Sequence, residues 1–285
     1  MKHLGGAFLI ALFFPLALFA GELTLSPPTI VNGGVALLRW RGETPSVAVA
    51  RFNDRSFYLS LAPGGVVALV GADVELEPGN YPLVAAVVDR RGRSTFYHLD
   101  LEVSDARRAV EELSLPSAMV SPRQPAVIAR IRRERKMLDE LFSRRSERRL
   151  WKSFERPVDD PLSSPFGLRR ILNGEPRSPH SGVDFRSPAG TPVHASAAGR
   201  IVFAGKLYYT GNTVILDHGN GLFTYYAHLR SIPAEVDGTV EAGTVVGEVG
   251  SSGRSTGPHL HWGGKLRGDR IDPLALEELA GMEKP

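Results

Sequence analysis

Six of the eight histidines in this 285-residue sequence, His180, His194, His218, His228, His259 and His261, lie in its last 110 or so positions. Two of the spacings suit metal ligation. His180 and Asp184 form H-x-x-x-D. In a flat strand these side chains share a face but stand about 13 Å apart, too far for bonds of about 2 Å to one ion. The chain is therefore expected to bend at Gly182, the midpoint, which reaches backbone angles closed to other residues and disfavours a regular helix. His259 and His261 form H-x-H, which in a strand puts both rings on one face about 6.6 Å apart, as two ligands or as a ligand and its neighbour. His228 ends the apolar run 222–228 in phase with Thr224 and Tyr226, so an adjoining strand is expected to present a third imidazole.

Cysteine is absent, which excludes thiol nucleophiles, iron–sulfur clusters and zinc sites with sulfur ligands. Three nitrogen or oxygen ligands with an open fourth position make the pattern of a catalytic zinc, which lowers the pKa of its bound water to about 7, and hydrolysis is the chemistry that follows. Each motif taken singly is more often surface or packing than ligation; together, in one Gly-rich segment, they favour a metal site. A Ser-His-Asp hydrolase is the rival, but no G-x-S-x-G elbow is present, and Gly250-Ser251-Ser252-Gly253 has the wrong spacing. His218 precedes a tight turn and is expected to hydrogen-bond the backbone, and His194 to pack or face solvent. Tyr226 and Trp262 suit a substrate groove and core packing equally.

The elements that must carry these groups read as mostly β. Thirty Gly and 21 Pro point to a turn-rich architecture, and 42% hydrophobic with 23% charged residues is ordinary for a globular chain of about two domains. Residues 1–20 resemble a secretory signal peptide: a short basic start, an apolar run from Leu4 to Phe19 and Ala20 before Gly21-Glu22. A membrane anchor follows only if that signal is uncleaved, and export argues against nucleic acid as a partner. Residues 21–105 read as an immunoglobulin-like β-sandwich, with strands at Val35–Trp40, Val47–Phe52, Tyr81–Val88 and Thr95–Val103; the last alternates so that His98 faces solvent. Residues 106–156 read as a basic helical linker. Ile128, Ile131, Leu138, Leu141 and Phe142 form an apolar stripe among arginines, which suits a helix docked on a neighbouring domain better than a grip on anionic wall polymers. Residues 157–278 read as a Gly-rich antiparallel β-sheet domain, with Gly219-Asn220-Gly221 closing a hairpin.

Seven segments carry a resemblance: Ser164-Pro165-Phe166-Gly167-Leu168-Arg169, His180-Ser181-Gly182-Val183-Asp184-Phe185, Gly190-Thr191-Pro192-Val193, Gly211-Asn212-Thr213-Val214, Asp217-His218-Gly219-Asn220-Gly221, Tyr226-Ala227-His228-Leu229 and Thr256-Gly257-Pro258-His259-Leu260-His261. In order and context they resemble the lysostaphin-like (LytM-type) zinc metallopeptidases, which are peptidoglycan endopeptidases, over about residues 157 to 275. The resemblance implies one Zn2+ per chain held by His180, Asp184 and His261. It implies catalytic roles for His228 and His259, which orient or deprotonate the attacking water and stabilise the oxyanion, and for Tyr208, with Tyr209 as the other candidate, as a hydrogen-bond donor to that oxyanion. It implies an exported enzyme, periplasmic or associated with the cell wall, acting on peptidoglycan; D-Ala to diaminopimelate cross-links and glycine bridges both suit the site. Many members follow H-x-H with an aromatic residue and Glu, whereas here Trp262 is followed by Gly263, which takes a carboxylate from the surroundings of the ligands and bears on their orientation and on metal affinity. The rival functions are a non-catalytic wall-binding regulator that activates other murein hydrolases and a glycan-binding sandwich module. The long upstream region is also placed to cover the groove and hold the enzyme latent.

Overall fold

In the computed structural model of the chain, residues 21–114, 123–146 and 148–279 are described; the signal segment 1–20 and the linker prolines Pro116 and Pro122 lie outside them. The N-terminal part contributes β1 (Gly21–Ser26), β2 (Thr29–Val31), β3 (Val35–Gly42), β4 (Val47–Phe52), β5 (Arg55–Tyr58), β6 (Ser60–Ala62), β7 (Gly65–Gly71), β8 (Gly79–Val88) and β9 (Ser94–Ser104). They form two sheets, β1-β3-β7-β6 and β2-β9-β8-β4-β5, sharing one core that includes Leu38, Trp40, Val70, Leu83, Val87 and Leu101. In β9 the alternation places Tyr97, Leu99, Leu101 and Val103 inward and leaves His98 exposed.

The run Val35–Trp40 is apolar at nearly every position because both of its faces are covered. Ala36, Leu38 and Trp40 enter the sandwich core, while Val35 and Leu37, with Val67 and Leu69 of β7, pack on Trp151 and Phe154 of the connecting segment and on Leu222, Leu266, Ile271 and Leu276 of the C-terminal part. The two parts are thus joined through a continuous apolar core. Its rim is charged: Arg270 donates to Asp73 at 2.6 and 3.2 Å and to Glu75 at 2.5 Å.

Between the parts, β10 (Val110–Leu113) and α1 (Pro125–Ser143) occupy the region read from sequence as a helical linker. Among the described residues, 125–143 are the helical ones there. Val110–Leu113 instead pairs in parallel with β12 (Arg169–Leu172), which pairs with β13 (Glu175–Arg177); a four-residue strand is too short for its partner to be legible in local sequence. Helix α1 starts on Pro125, whose missing N–H costs nothing in the first turn. It buries Leu141 and Phe142 against Ile215, Phe223 and Tyr225, with the Phe142 and Phe223 rings edge-on at 5.4 Å, as the apolar stripe predicts.

The C-terminal part is a ten-stranded sheet: β11 (Leu162–Ser164), β14 (Gly182–Phe185), β15 (Pro192–His194), β16 (Gly199–Leu207), β17 (Gly211–Gly219), β18 (Leu222–Ser231), β19 (Thr239–Val240), β20 (Val245–Val249), β21 (Leu260–Leu266) and β22 (Asp269–Ile271), followed by a short helix α2 (Leu274–Leu279). Its long path runs β11-β14-β21-β18-β17-β16-β19. Asn220 and Gly221, both with positive φ, close the β17–β18 hairpin.

Candidate metal centre

Three neighbouring strands bring the site together. Asp184 of β14 stands opposite His261 of β21, which stands opposite Ala227 of β18. Side chains of opposed residues share a face, so Asp184 and His261 meet by register alone. His180 lies two residues before β14 and is held there by its own backbone, N to the Leu168 carbonyl at 3.0 Å and O from the Gly167 amide at 2.8 Å. The chain does bring His180 to Asp184, but not through a left-handed Gly182, whose φ is not positive. What Gly182 supplies is space: a Cβ there would stand 2.3 Å from the Trp262 carbonyl and 2.9 Å from the His261 ring.

The donor atoms converge. His180 Nε2 lies 3.1 Å from Asp184 Oδ1 and 3.0 Å from His261 Nδ1, and His261 Nδ1 lies 2.8 Å from the same Oδ1. Donors bound tetrahedrally at about 2.0–2.1 Å would stand about 3.4 Å apart, so little movement separates this triangle from a coordination sphere. His180 Nδ1 faces the Pro165 carbonyl at 2.9 Å. A carbonyl only accepts, so Nδ1 carries a proton, and Nε2 is the ring atom left to ligate. Burial opposes ionisation of Asp184, but the His180 and His261 rings outweigh it and hold its carboxyl well below the usual range. Burial pulls His261 down, favouring the neutral ring. Three donor atoms converging within about 3 Å of one another leave a place for a cation among them, and two imidazoles with one carboxylate are a donor set that suits zinc.

Two more imidazoles flank the triangle. The His228 ring lies 4.7 Å from that of His259 and 6.0 Å from that of His261, and His259 Nε2 is 4.0 Å from Asp184 Oδ1. Each has its Nδ1 against a carbonyl, Ser252 for His228 at 2.7 Å and Gly257 for His259 at 2.9 Å, so each carries its Nδ1 proton there and turns Nε2 away from that anchor. Burial, aided by His261, pushes His228 down to about 4. His228 does not arrive by the expected alternation. Thr224 and Tyr226 point to the opposite face, into a buried network with His218 and Ser196, and a regular strand would send His228 there too. Its φ of 60° reverses the side chain onto the face of Ala227 and His261. No pattern in the sequence marks that residue as left-handed.

The remaining candidates separate. Tyr208 lies in the turn between β16 and β17, and its contacts are with Tyr209, Arg130 and Glu134. Tyr209 lies beneath the Arg254 guanidinium. His218 bonds the Ala198 carbonyl at 2.8 Å and Thr224 at 2.7 Å, and His194 faces the Pro157 carbonyl. Trp262 and Tyr226 are fully buried in the core. The sequence reading missed Tyr225. Opposite Gly263 in β21, its ring lies 5.7 Å from His261, and its hydroxyl donates to the Ser181 carbonyl at 2.8 Å. A Cβ on residue 263 would stand 2.1 Å from Tyr225 Cζ, so the glycine in place of the expected acid is what lets this ring cover the ligand strand. The pairing of Tyr225 with Gly263 is a matter of strand register, which residue order alone does not display.

Fold and site together define a zinc-peptidase type of centre, two imidazoles and a carboxylate on one sheet with two further imidazoles beside them. Residues 178–273 match the model of peptidase family M23. A Pseudomonas aeruginosa chain assigned to peptidase M23, known from its crystal structure, is 31% identical over 87% of this chain and 94% of that chain, with a TM-score of 0.68. The chain belongs to peptidase family M23. It is also 44% identical over 115 residues to the DD-carboxypeptidase/endopeptidase Mpg of Neisseria meningitidis, covering 40% of this chain and 26% of that protein. To the peptidoglycan DD-endopeptidase ShyA of Vibrio cholerae it is 40% identical over 129 residues, covering 44% and 30%. The matched segment thus spans about a quarter to a third of these curated relatives.

Proposed function

We propose that this chain is an exported zinc endopeptidase that hydrolyses peptide bonds in peptidoglycan stem or cross-bridge peptides. The observation that carries the reading is the triangle of His180 Nε2, Asp184 Oδ1 and His261 Nδ1, with edges of 2.8–3.1 Å, flanked by two imidazoles whose Nδ1 atoms are held on carbonyls. The DD-endopeptidase names of the relatives favour a DD cross-link as the bond cut. In this reading residues 1–20 are the export signal, 21–105 an immunoglobulin-like accessory domain, 106–156 the linker and 157–278 the catalytic domain. The location is then the periplasm or the cell wall. The exposed arginines of α1 stay available to anionic wall polymers, although Arg135 and Lys136 already have Asp139 and Glu140 within 3.9 Å.

His180, Asp184 and His261 would hold the ion. Bound there, zinc supplies Lewis-acid polarisation of the scissile carbonyl and a water of lowered pKa. His228 and His259 accept the proton of the attacking water on Nε2 and return it to the leaving amine, their Nδ1 atoms anchored on the Ser252 and Gly257 carbonyls so that the rings cannot turn away. Once protonated, either ring donates a hydrogen bond to the oxyanion. Tyr208 is the proposed phenolic donor to the same oxyanion.

The test pairs elemental analysis with mass spectrometry of fragments released from sacculi of known chemistry. His180→Ala, Asp184→Ala and His261→Ala are expected to lose both zinc and hydrolysis, whereas His228→Ala and His259→Ala keep stoichiometric zinc and lose about 10²–10⁴-fold in kcat. Zinc-loaded protein that releases nothing from any peptidoglycan type would falsify the enzymatic reading and favour a wall-binding regulator.

A further inference from the structure

The turn between β16 and β17 is tied to both flanking imidazoles. The Thr210 carbonyl accepts the His228 amide at 2.9 Å, and the Tyr209 carbonyl accepts the Arg254 amide at 2.8 Å, in the loop that leads to His259. The Asn212 amide donates to Ser252 Oγ at 2.8 Å, and Ser252 is the residue whose carbonyl anchors His228 Nδ1. A shift of this turn would therefore move the backbone of His228, its anchor and the approach to His259 together.

What holds the turn comes from outside the catalytic sheet. The last ladder pair is Leu207 with Gly211, so the Tyr208 amide lies beyond the sheet and needs another acceptor. Glu134 of α1 provides it, with Oε2 at 2.8 Å. The other oxygen of Glu134 accepts Arg130 Nε at 2.6 Å, and Arg130 also donates to the Lys206 carbonyl at 3.3 Å and stands 5.9 Å from the centre of the Tyr208 ring. The helix that carries this pair is fixed two turns later by Leu141 and Phe142 on Ile215, Phe223 and Tyr225. Glu134 is the first acidic residue of α1 and stands among Arg130, Arg132, Arg133, Arg135 and Lys136. A carboxylate bonded to a backbone N–H and to a guanidinium makes charge-assisted bonds, stronger than neutral ones.

We infer that Glu134 is a positioning residue: from the upstream helix it clamps the Tyr208 amide and so fixes the turn that sets His228 and the His259 loop. The upstream region in this view supports the site, and latency is not its role at this contact. The effect on turnover rests on the function proposed above; the clamp itself does not. Deleting residues 21–150 is a poor test, because it would strip the shared apolar core formed by Val35, Leu37, Val67 and Leu69. Point changes in the full chain serve instead. Glu134→Ala removes the acceptor, Glu134→Asp keeps the charge but withdraws it by one methylene, and Glu134→Gln keeps an acceptor oxygen at the same reach.

The first readout is amide hydrogen exchange over residues 206–212 in metal-free protein. Glu134→Ala and Glu134→Asp are expected to speed exchange at Tyr208 about ten- to a hundredfold, the loss of one bond to a charged group, with Glu134→Gln restoring most of the protection. The second is steady-state kinetics on a purified cross-linked muropeptide dimer with zinc content measured alongside. In Glu134→Ala, kcat is expected to fall at least about tenfold while KM stays within about twofold and zinc at one per chain, and Glu134→Gln should recover kcat. Unchanged Tyr208 exchange in both Ala and Asp variants overturns the clamp. Faster exchange with unchanged kcat overturns its catalytic consequence. If the parent protein cleaves no muropeptide, the functional proposal falls, and the exchange data still decide whether Glu134 holds the turn. Should Glu134→Ala fail to fold, the Asp and Gln pair carries the comparison.

Discussion

Replacing Gly263 by alanine tests whether the missing acid has been exchanged for an aromatic cover. The new Cβ would stand 2.1 Å from Cζ, 2.3 Å from Oη and 2.6 Å from Cε1 of Tyr225. Ordinary carbon contacts begin near 3.5 Å, so the ring must retreat by about 1.4 Å. It has little room, being buried between Phe142 at 6.4 Å and His261 at 5.7 Å, and retreat breaks its hydroxyl bonds to the Ser181 carbonyl and Oγ at 2.8 and 2.9 Å. Overpacking costs about 1–3 kcal/mol, and a buried hydroxyl without its partner about another 1–3, giving about 2–6 kcal/mol for Gly263→Ala. Tyr225→Ala alone should cost about 3–5 kcal/mol as a large-to-small change. In the double variant the methyl enters the vacated space, so the total should stay near that of Tyr225→Ala instead of reaching the sum of about 5–11. The coupling is then about 2 kcal/mol or more. Urea denaturation of the metal-free proteins measures all four corners of the cycle. Additive single costs, or a Gly263→Ala protein within about 0.5 kcal/mol of the parent, would refute the packing argument, since neither outcome is compatible with a rigid ring over residue 263.

Two further expectations concern pH. Burial depresses His218 to about 4, only partly offset by the Ala198 carbonyl. The unfolded ring takes up a proton below about 6.5 while the folded one stays neutral. Its contribution is therefore complete above about pH 6.5 and fades by about 3 kcal/mol as pH falls toward 4; a His218→Gln variant should lack that part of the slope in urea titrations, and a parent-to-variant difference constant from pH 7 to 4.5 would count against it. At Asp73, burial opposes ionisation but the Arg270 bonds prevail and lower its pKa. The stabilisation is present above the ordinary carboxyl range and lost as pH falls through the folded value. Asp73→Asn should cost about 2 kcal/mol at pH 7 and progressively less as pH falls below the ordinary carboxyl range, and a cost that does not shrink on acidification would show that the ion pair contributes nothing.

Much of the architecture is legible in residue order because it is local. The alternation of Tyr97, Leu99, Leu101 and Val103 gives a strand with His98 outside, Asn220-Gly221 gives a hairpin through its positive φ angles, and the stripe ending in Leu141 and Phe142 gives a docked helix. The donor motifs are legible for a related reason: H-x-H on a strand keeps both rings on one side whatever the neighbours do. Val35 and Leu37 were readable as strand but not as an interface, since an apolar run covered on both faces looks the same whether the second cover is its own domain or another.

Residue types and their spacing thus fixed the kind of chemistry, the nitrogen and oxygen donors without sulfur, and the strands and turns on which they ride. The tertiary structure alone decided how those donors meet: the β14–β21 register that sets Asp184 against His261, the left-handed backbone that turns His228 onto their face, the tight approach that demands glycine at 182 and 263, and the reach of Glu134 across 74 positions to Tyr208. Each depends on chain segments remote in sequence coming within a few ångströms, and contacts of that kind leave no local pattern to read.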